Sequence, residues 1–211
     1  MMGAIFLREL RLRLRGGGWA ASLGLFTVSL MLAPLALGRD LSLLANAAPA
    51  LLWLTASLSL LIGLDGLYEE DLRSGGLAIY RLTPVPLSLI ILMKMIAGWL
   101  ATCGPLILAA PILFSFFGVK HALWGMAGLA LGTPALALLA GTMGALCAGM
   151  RRGTALLVFL CLPLFAPAFV FGPASTGGEP LVPLLLLGAF SLQTLALCPF
   201  IAAAALRTYM R

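Results

Sequence analysis

Residues 87 to 117 read LSLIILMKMIAGWLATCGPLILAAPILFSFF, an apolar run with a single charged side chain, Lys94. A helix needs about 20 apolar residues to cross a bilayer, and this run exceeds that length. Polar and apolar residues do not alternate along it, as they would in a strand of a membrane barrel. The run therefore predicts a transmembrane helix.

The composition of the whole chain extends this prediction. Of its 211 residues, 62% are hydrophobic and 9% are charged, so a soluble core of this size could not bury the apolar surface. The net charge of +6 comes from basic residues scattered singly between apolar runs, which argues against nucleic-acid binding. We predict an all-α polytopic membrane protein, with one transmembrane permease domain over residues 1–211, and not a soluble enzyme.

Six apolar stretches have the length that a span needs. They lie at about 17–38, 43–67, 87–117, 122–150, 153–173 and 181–206. The segments between them are short, except for the polar connection 68–86. Six transmembrane helices are therefore expected, with one connection large enough to form an element of its own.

The basic residues indicate the orientation, because Lys and Arg collect on the cytoplasmic side of a membrane. With six alternating spans, two residues fall on one side, Arg39 and Lys120. Ten fall on the other: Arg8, Arg11, Arg13, Arg15, Arg73, Arg81, Arg151, Arg152, Arg207 and Arg211. This distribution predicts that both termini and the connection 68–86 are cytoplasmic.

The residues before the first span are typical of an interfacial helix. Phe6, Leu10 and Leu14 recur at intervals of four residues, and three arginines occupy a neighbouring face. We expect residues 1–16 to lie as a helix on the inner leaflet. The alternative is a basic tail with incidental leucines.

Prolines predict irregular helices near the outer side. Five occur within 21 residues: Pro163, Pro167, Pro173, Pro180 and Pro183. Each removes a backbone donor and bends or ends its helix. Two outcomes fit equally: broken or re-entrant helices, or plain kinks followed by a loop.

The connection 68–86 carries the candidate functional residues. Acids cluster there and just before it, and carboxylates have little influence on topology, so these acids are free to serve a partner surface. Residues 77–82, closed by Pro84 and Pro86, are expected to form a short helix across the membrane face. The alternative is a solvated linker. The acids are Asp65, Glu69, Glu70 and Asp71.

Asp65 and Lys94 form a possible pair at the edge of the membrane. Asp65 ends the second span, and Lys94 lies roughly 10 Å into the third at 1.5 Å per residue. An ionisable group inside a membrane is a candidate for function. Lys94 could instead extend its ammonium group to the lipid headgroups, or the pair could be purely structural.

Other chemistry-bearing residues give weaker signals. Cys103, Cys147, Cys161 and Cys198 lie in apolar runs without metal-ligand spacing, which favours buried small side chains. His121 stands alone beside Trp124, as in an interfacial aromatic belt. The sequence has no phosphate-binding loop, zinc-protease motif or nucleophile elbow. Any energy for transport would have to come from a partner.

Several motifs together resemble a known family, haem exporter protein B (CcmB), the membrane subunit of the bacterial cytochrome c maturation system. The resemblance runs nearly end to end. It is carried by the connection 70–86 leading into Leu92-Met93-Lys94, by Leu131-Gly132-Thr133-Pro134, by 149–153 running on to 162–164, and by the ending 198–207. Where the family often reads Gly-Ser-Leu-Glu-Gln, this chain reads Gly75-Gly76-Leu77-Ala78-Ile79 and lacks that acid.

The resemblance implies a six-helix permease subunit in the bacterial inner membrane, of the type that works with an ATP-binding cassette. The implied partners are a CcmA-like ATPase that binds the ATP, CcmC-like and CcmD-like subunits, and indirectly a CcmE-like haem chaperone. No cofactor is expected on this chain, and haem is the species handled. The connection then resembles a coupling helix that docks on the ATPase, through Glu69, Glu70, Asp71, Leu72, Arg73, Leu77 and Arg81.

Two alternatives stay open beside this function. The chain could transmit energy or act as a scaffold without translocating haem itself. It could also belong to an exporter of another substrate.

Overall fold

The computed structural model describes residues 2–38, 40–73, 75, 84–119, 121–150 and 153–209, and these residues form helices without a strand. In chain order the helices are α1 (Met2–Arg15), α2 (Gly18–Leu37), α3 (Leu41–Leu64), α4 (Glu69–Arg73), α5 (Leu87–Phe116), α6 (Ala122–Cys147), α7 (Gly153–Leu164), α8 (Ala166–Ala174) and α9 (Leu181–Thr208). The predicted all-α class is thus confirmed for the part of the chain that is described.

The long helices fall on the predicted apolar stretches. Four of them, α3, α5, α6 and α9, are long and apolar enough to cross a membrane, and α7 with α8 would make a fifth crossing. The apolar part of α2, Ser22–Leu37, is shorter than these. The protein is therefore a multi-pass helical membrane protein, and its sixth crossing stays a prediction.

Two helices end before the predicted limits, and glycine explains both ends. The second stretch was expected to reach residue 67, but α3 ends at Leu64, and Gly66 follows with φ of 65°. The fourth was expected to reach residue 150, but α6 ends at Cys147, before Gly149 with φ of 77°. Residues without a Cβ adopt this left-handed conformation readily, so it terminates helices that an apolar pattern alone would extend.

The fifth stretch is broken in the middle. Helices α7 and α8 meet at Phe165 with their axes 52° apart. Pro167, in the first turn of α8, has no amide hydrogen to continue the ladder of α7. Of the two outcomes that the prolines allowed, a broken helix is the one observed, and α9 begins after Pro180.

Helix α6 occupies the centre of the bundle. It packs against α3, α5, α7, α8 and α9, and small residues on its buried faces allow this close approach. The Trp99 indole of α5 donates a hydrogen bond of 2.9 Å to the Thr133 hydroxyl of α6. Trp53 of α3, itself 2% exposed, lies against Gly132 of α6 and Gly172 of α8.

The outward surface of the bundle is apolar. Leu35, Leu108, Leu123 and Phe159 are each between 75% and 81% exposed. Large apolar side chains at this density would be unfavourable in water, and lipid chains cover them without penalty.

Candidate functional site

A buried ammonium group lies where α1, α4 and α5 meet. Lys94 is in the second turn of α5, and its side chain is 7% exposed. Its Nζ lies 2.9 Å from Oε2 of Glu9 and 2.9 Å from Oδ2 of Asp71. The two carboxylates are 6% and 14% exposed. Buried charges need such partners, so these three residues, here named the Lys94 cluster, form one electrostatic unit.

Helix α1 packs mainly on α5 and carries Glu9 on its packed face. Phe6, Leu10 and Arg13 are half-buried along that face, and Glu9 is 5% exposed. Leu7, Leu12 and Leu14 are exposed, each by 44% or more. The carboxylate therefore points from the packed face of α1 into the protein.

A tight turn after α3 positions Asp71. Gly66, with φ of 65°, reverses the chain, and its carbonyl accepts a hydrogen bond of 3.1 Å from the Glu69 amide at the start of α4. The Leu72 amide donates to the Tyr68 carbonyl at 3.0 Å. The short α4 helix is thereby folded back so that Asp71 reaches Lys94.

Arg13, one helical turn after Glu9, contacts the end of α3. Its guanidinium donates to the carbonyls of Gly63 at 3.3 Å and Leu67 at 3.2 Å. Carbonyls at a helix C-terminus lack intrahelical partners and carry partial negative charge, which favours a cation there. Burial lowers the pKa of Arg13 from its ordinary value, although an arginine stays charged at physiological pH.

Tyr68 anchors the same turn. It is 1% exposed, and its hydroxyl finds no hydrogen-bond partner among the described residues. Burial raises the pKa of the phenol well above its ordinary value, so the side chain is neutral. Tyr68 therefore fixes the turn by packing, close to Gly144 of α6.

An open cavity of about 670 Å³ adjoins the Lys94 cluster. Its wall includes the three members of the cluster, together with Arg8, Arg13 and Asp65. Trp19, Leu12 and Ile62 add apolar surface, and the cavity reaches Thr102, two turns beyond Lys94 on α5. The cavity thus combines charges of both signs with apolar walls.

The structure places some of the predicted coupling residues and leaves others outside the described part. Glu69 is exposed, Asp71 is turned inward onto Lys94, and Leu72 packs against the core. Glu70 and Arg73 belong to α4, but their side chains lie outside the description. Leu77 and Arg81, with the predicted short helix over residues 77–82, also lie outside the described residues.

Lys94 of the predicted Asp65–Lys94 pair has two partners that the prediction did not include. Lys94 is held by Glu9 and Asp71, and its low exposure does not agree with an ammonium group extended to the headgroups. Asp65 is exposed after the end of α3 and lines the same cavity. Direct pairing of Asp65 with Lys94 stays a prediction.

Sequence reasoning missed Glu9. It treated the first helix as an arginine-rich surface helix and counted Arg13 among the topology signals. One signal was available: Glu9 is the only acid before Asp40, and it precedes Arg13 by four residues, so both lie on one helical face. That face is the one that packs against α5.

The structure also places the four cysteines and His121. All four cysteines are free thiols and buried, as expected for small core side chains. His121 is exposed immediately before α6 begins. Within the described ranges, no group of three His, Cys, Asp or Glu side chains is arranged to hold a metal ion.

Comparisons with known proteins match the whole chain. Residues 1–209 match the family model described as CcmB protein. "Heme exporter protein B" of Paracoccus denitrificans is 40% identical and that of Rhodobacter capsulatus 39%, each over 100% of both chains. The protein of the same name from Bradyrhizobium diazoefficiens is 37% identical over 98% of this chain and 97% of its own. The chain therefore belongs to the CcmB family.

Proposed function

We propose that this chain is the membrane subunit of a haem exporter for c-type cytochrome biogenesis, driven by ATP hydrolysis on a separate ATPase subunit. Full-length identity to proteins named heme exporter protein B supports the haem-export role. The observation that carries the coupling role is the Lys94 cluster, since it ties the acidic α4 segment to two other helices.

The proposed topology has six spans, with α2 as the first and α7 plus α8 as a broken fifth. Both termini lie in the cytoplasm, as the lysine and arginine distribution supports, and the proposed location is the bacterial inner membrane. Helix α1 lies along the inner leaflet, with exposed Leu7 and Leu14 in lipid. The chain forms a single permease domain over residues 1–211.

The segment 68–86 is the proposed contact with the ATPase. Glu69 is exposed, and Glu70, Arg73, Leu77 and Arg81 are the further candidates for docking. Closure of two ATPase subunits around ATP would displace this segment. The ATPase is CcmA-like, CcmC-like and CcmD-like subunits complete the complex, and a CcmE-like chaperone receives haem downstream.

Co-purification tests the docking surface. The chain is co-expressed with the CcmA-like ATPase, and the E69A/E70A variant is compared with E179A, which removes an exposed acid from the predicted outer connection. We expect E69A/E70A to retain less than half as much ATPase and E179A to retain the wild-type amount. Equal retention by both variants would contradict docking through this segment and would favour a scaffold role.

A second candidate is energy transduction without haem passage. The Lys94 cluster joins α1, α4 and α5 through ionic contacts, which supports this version. Blocking ATP hydrolysis separates the two roles. Haem-loaded chaperone that accumulates would favour energy transduction, whereas a chaperone left without haem would favour export. Normal cytochrome c in a deletion strain would instead indicate an exporter of another substrate.

A further inference from the structure

Helix α1 is tied to the α3–α4 corner in two ways. Glu9 reaches α4 through the shared cation Lys94, and Arg13 binds the carbonyl of Gly63 at the end of α3. These two side chains lie one turn apart on the packed face of α1. The helix therefore contacts both sides of the corner that carries the proposed ATPase contact.

We propose that Lys94 is a positioning residue that makes α1 move together with α4, so that displacement of α4 by the ATPase also shifts α1 along α5. The proposal rests on the proposed coupling function. Glu9 connects Lys94 to α1, and Asp71 connects it to α4. Helix α1 is then a moving part of the transport cycle, and its role is not confined to anchoring the chain at the membrane.

The chemistry of the cluster favours a mechanical link over a simple packing contact. An apolar contact of similar volume could hold two helices together with less cost of desolvation, so stability alone does not require a buried ion cluster. Two carboxylates on one ammonium group also restrict how the helices can face each other. A shift of either carboxylate away from Lys94 separates opposite charges in a buried site. The cluster can therefore transmit a displacement from Asp71 to Glu9 through the ammonium group that both carboxylates contact.

The cavity next to the cluster gives α1 room to move. It separates part of α1 from the end of α3 and from the interior turns of α5, and its walls include Leu12 and Gly16 of the α1 end together with Ile62 and Thr102. The cavity is open and has a volume of about 670 Å³, so side chains of α1 can shift into it. Closing it would bring α1 and the start of α2 towards α5.

Distance measurement in the assembled complex tests the link. Spin labels are placed at Leu7 of α1 and Leu123 of α6, which are 52% and 80% exposed. The distance is recorded with and without a non-hydrolysable ATP analogue. We expect an ATP-dependent shift in the wild type that the charge-free variant E9L/D71L/K94M loses in complexes that contain the ATPase. The variant R11M, which removes an exposed charge of α1, should keep the shift.

The results of this experiment distinguish failure of the Lys94 link from failure of the proposed function. If the ATPase fails to co-purify with the unaltered chain, the proposed function fails. If it does bind, the link is overturned when the charge-free variant shifts as far as the wild type, or when the wild type itself does not shift. Thermal unfolding of each complex checks that the variants are folded.

A charge-reversal series keeps the proposal testable if the charge-free variant does not fold. E9K/K94E preserves attraction between α1 and α5 but sets a glutamate against Asp71. We expect this variant to lose at least half of the distance shift. Adding D71K restores opposite charges at both contacts and should recover most of it. A triple reversal that folds, binds the ATPase and shows no recovery would overturn the link.

Discussion

Nζ of Lys94 lies 2.9 Å from Oε2 of Glu9, a residue 85 positions earlier in the chain. The pair joins α1 to the long apolar helix α5, and α2, α3 and α4 lie between them in the chain. Asp71 shares the same ammonium group, so α4 takes part in the contact. The acidic segment after α3 is therefore joined to the body of the protein by charge as well as by the backbone.

Removing Lys94 should destabilise the fold strongly. K94M removes the buried cation that Glu9 and Asp71 share, and breaking a buried ion pair on one side costs about 3–5 kcal/mol. We expect a loss of this size in the free energy of unfolding, measured by SDS titration in mild detergent. R11M is the control, since Arg11 is an exposed residue of the same helix as Glu9 and its removal should cost less than about 1 kcal/mol. A K94M variant as stable as R11M would contradict the buried cluster.

The contact between Trp53 and Gly172 predicts that a side chain added at position 172 destabilises the fold. A Cβ added at Gly172 would overlap the Trp53 indole, which has no space to withdraw. Overpacking of this kind costs about 1–3 kcal/mol, so G172A should unfold at a lower temperature than the wild type. G188A meets no atom within 4 Å and lies inside a helix, so it should be neutral or slightly stabilising. Equal thermal midpoints for the two variants would exclude the close packing of α8 on α3.

Arg13 should contribute through its hydrogen bonds to the end of α3. R13M removes both donors and should lower the free energy of unfolding by about 1–3 kcal/mol, in the range for hydrogen bonds that involve a charged group. R13K should recover part of this loss, since lysine keeps the charge but lacks the planar fork of donors. The exposed Arg11 gives the control R11M. If R13M and R11M have the same effect, the guanidinium does not cap α3.

Asp40 makes the start of α3 sensitive to acid. Its carboxylate accepts hydrogen bonds from the Ser42 hydroxyl and from the amides of Ser42 and Leu43, which lower its pKa below the ordinary value of 3.8. A lowered pKa stabilises the folded state fully above pH 3.8, and this stabilisation is lost as the pH falls through the folded-state pKa. D40N should keep a cap and lose this pH dependence, whereas D40A should lose the cap. The protection of the Ser42 and Leu43 amides against hydrogen exchange, compared between the wild type and D40N as the pH is lowered below 3.8, measures the effect.

Much of the fold could be predicted, because the length of an apolar run and the position of a proline determine the structure of their own segment of the chain. The run 87–117 contains α5 almost to the residue, and Pro167 accounts for the break after α7. The predicted ends of α3 and α6 lie beyond the observed ones. Within an apolar stretch, the glycine is the only residue that indicates a left-handed turn, as at Gly66 and Gly149.

The partners of Lys94 depend on tertiary packing, which the sequence alone did not reveal. Asp65 was the natural candidate because it lies near the end of the preceding span. The turn at Gly66 brings Asp71 to the cluster, and the packed face of α1 brings Glu9. Only the spacing of Glu9 and Arg13 on one helical face could have suggested that α1 turns charges inward.

Site-specific photo-crosslinking at Glu69 tests the central claim most directly, which is that the α4 segment receives the ATPase on the cytoplasmic side. A photoreactive residue replaces Glu69 in one strain and Glu179 in a second, since both positions are exposed. The account predicts a covalent product between position 69 and the ATPase subunit in intact membranes, and none from position 179. A product from position 179, or accessibility of position 69 from the periplasmic side only, would contradict it.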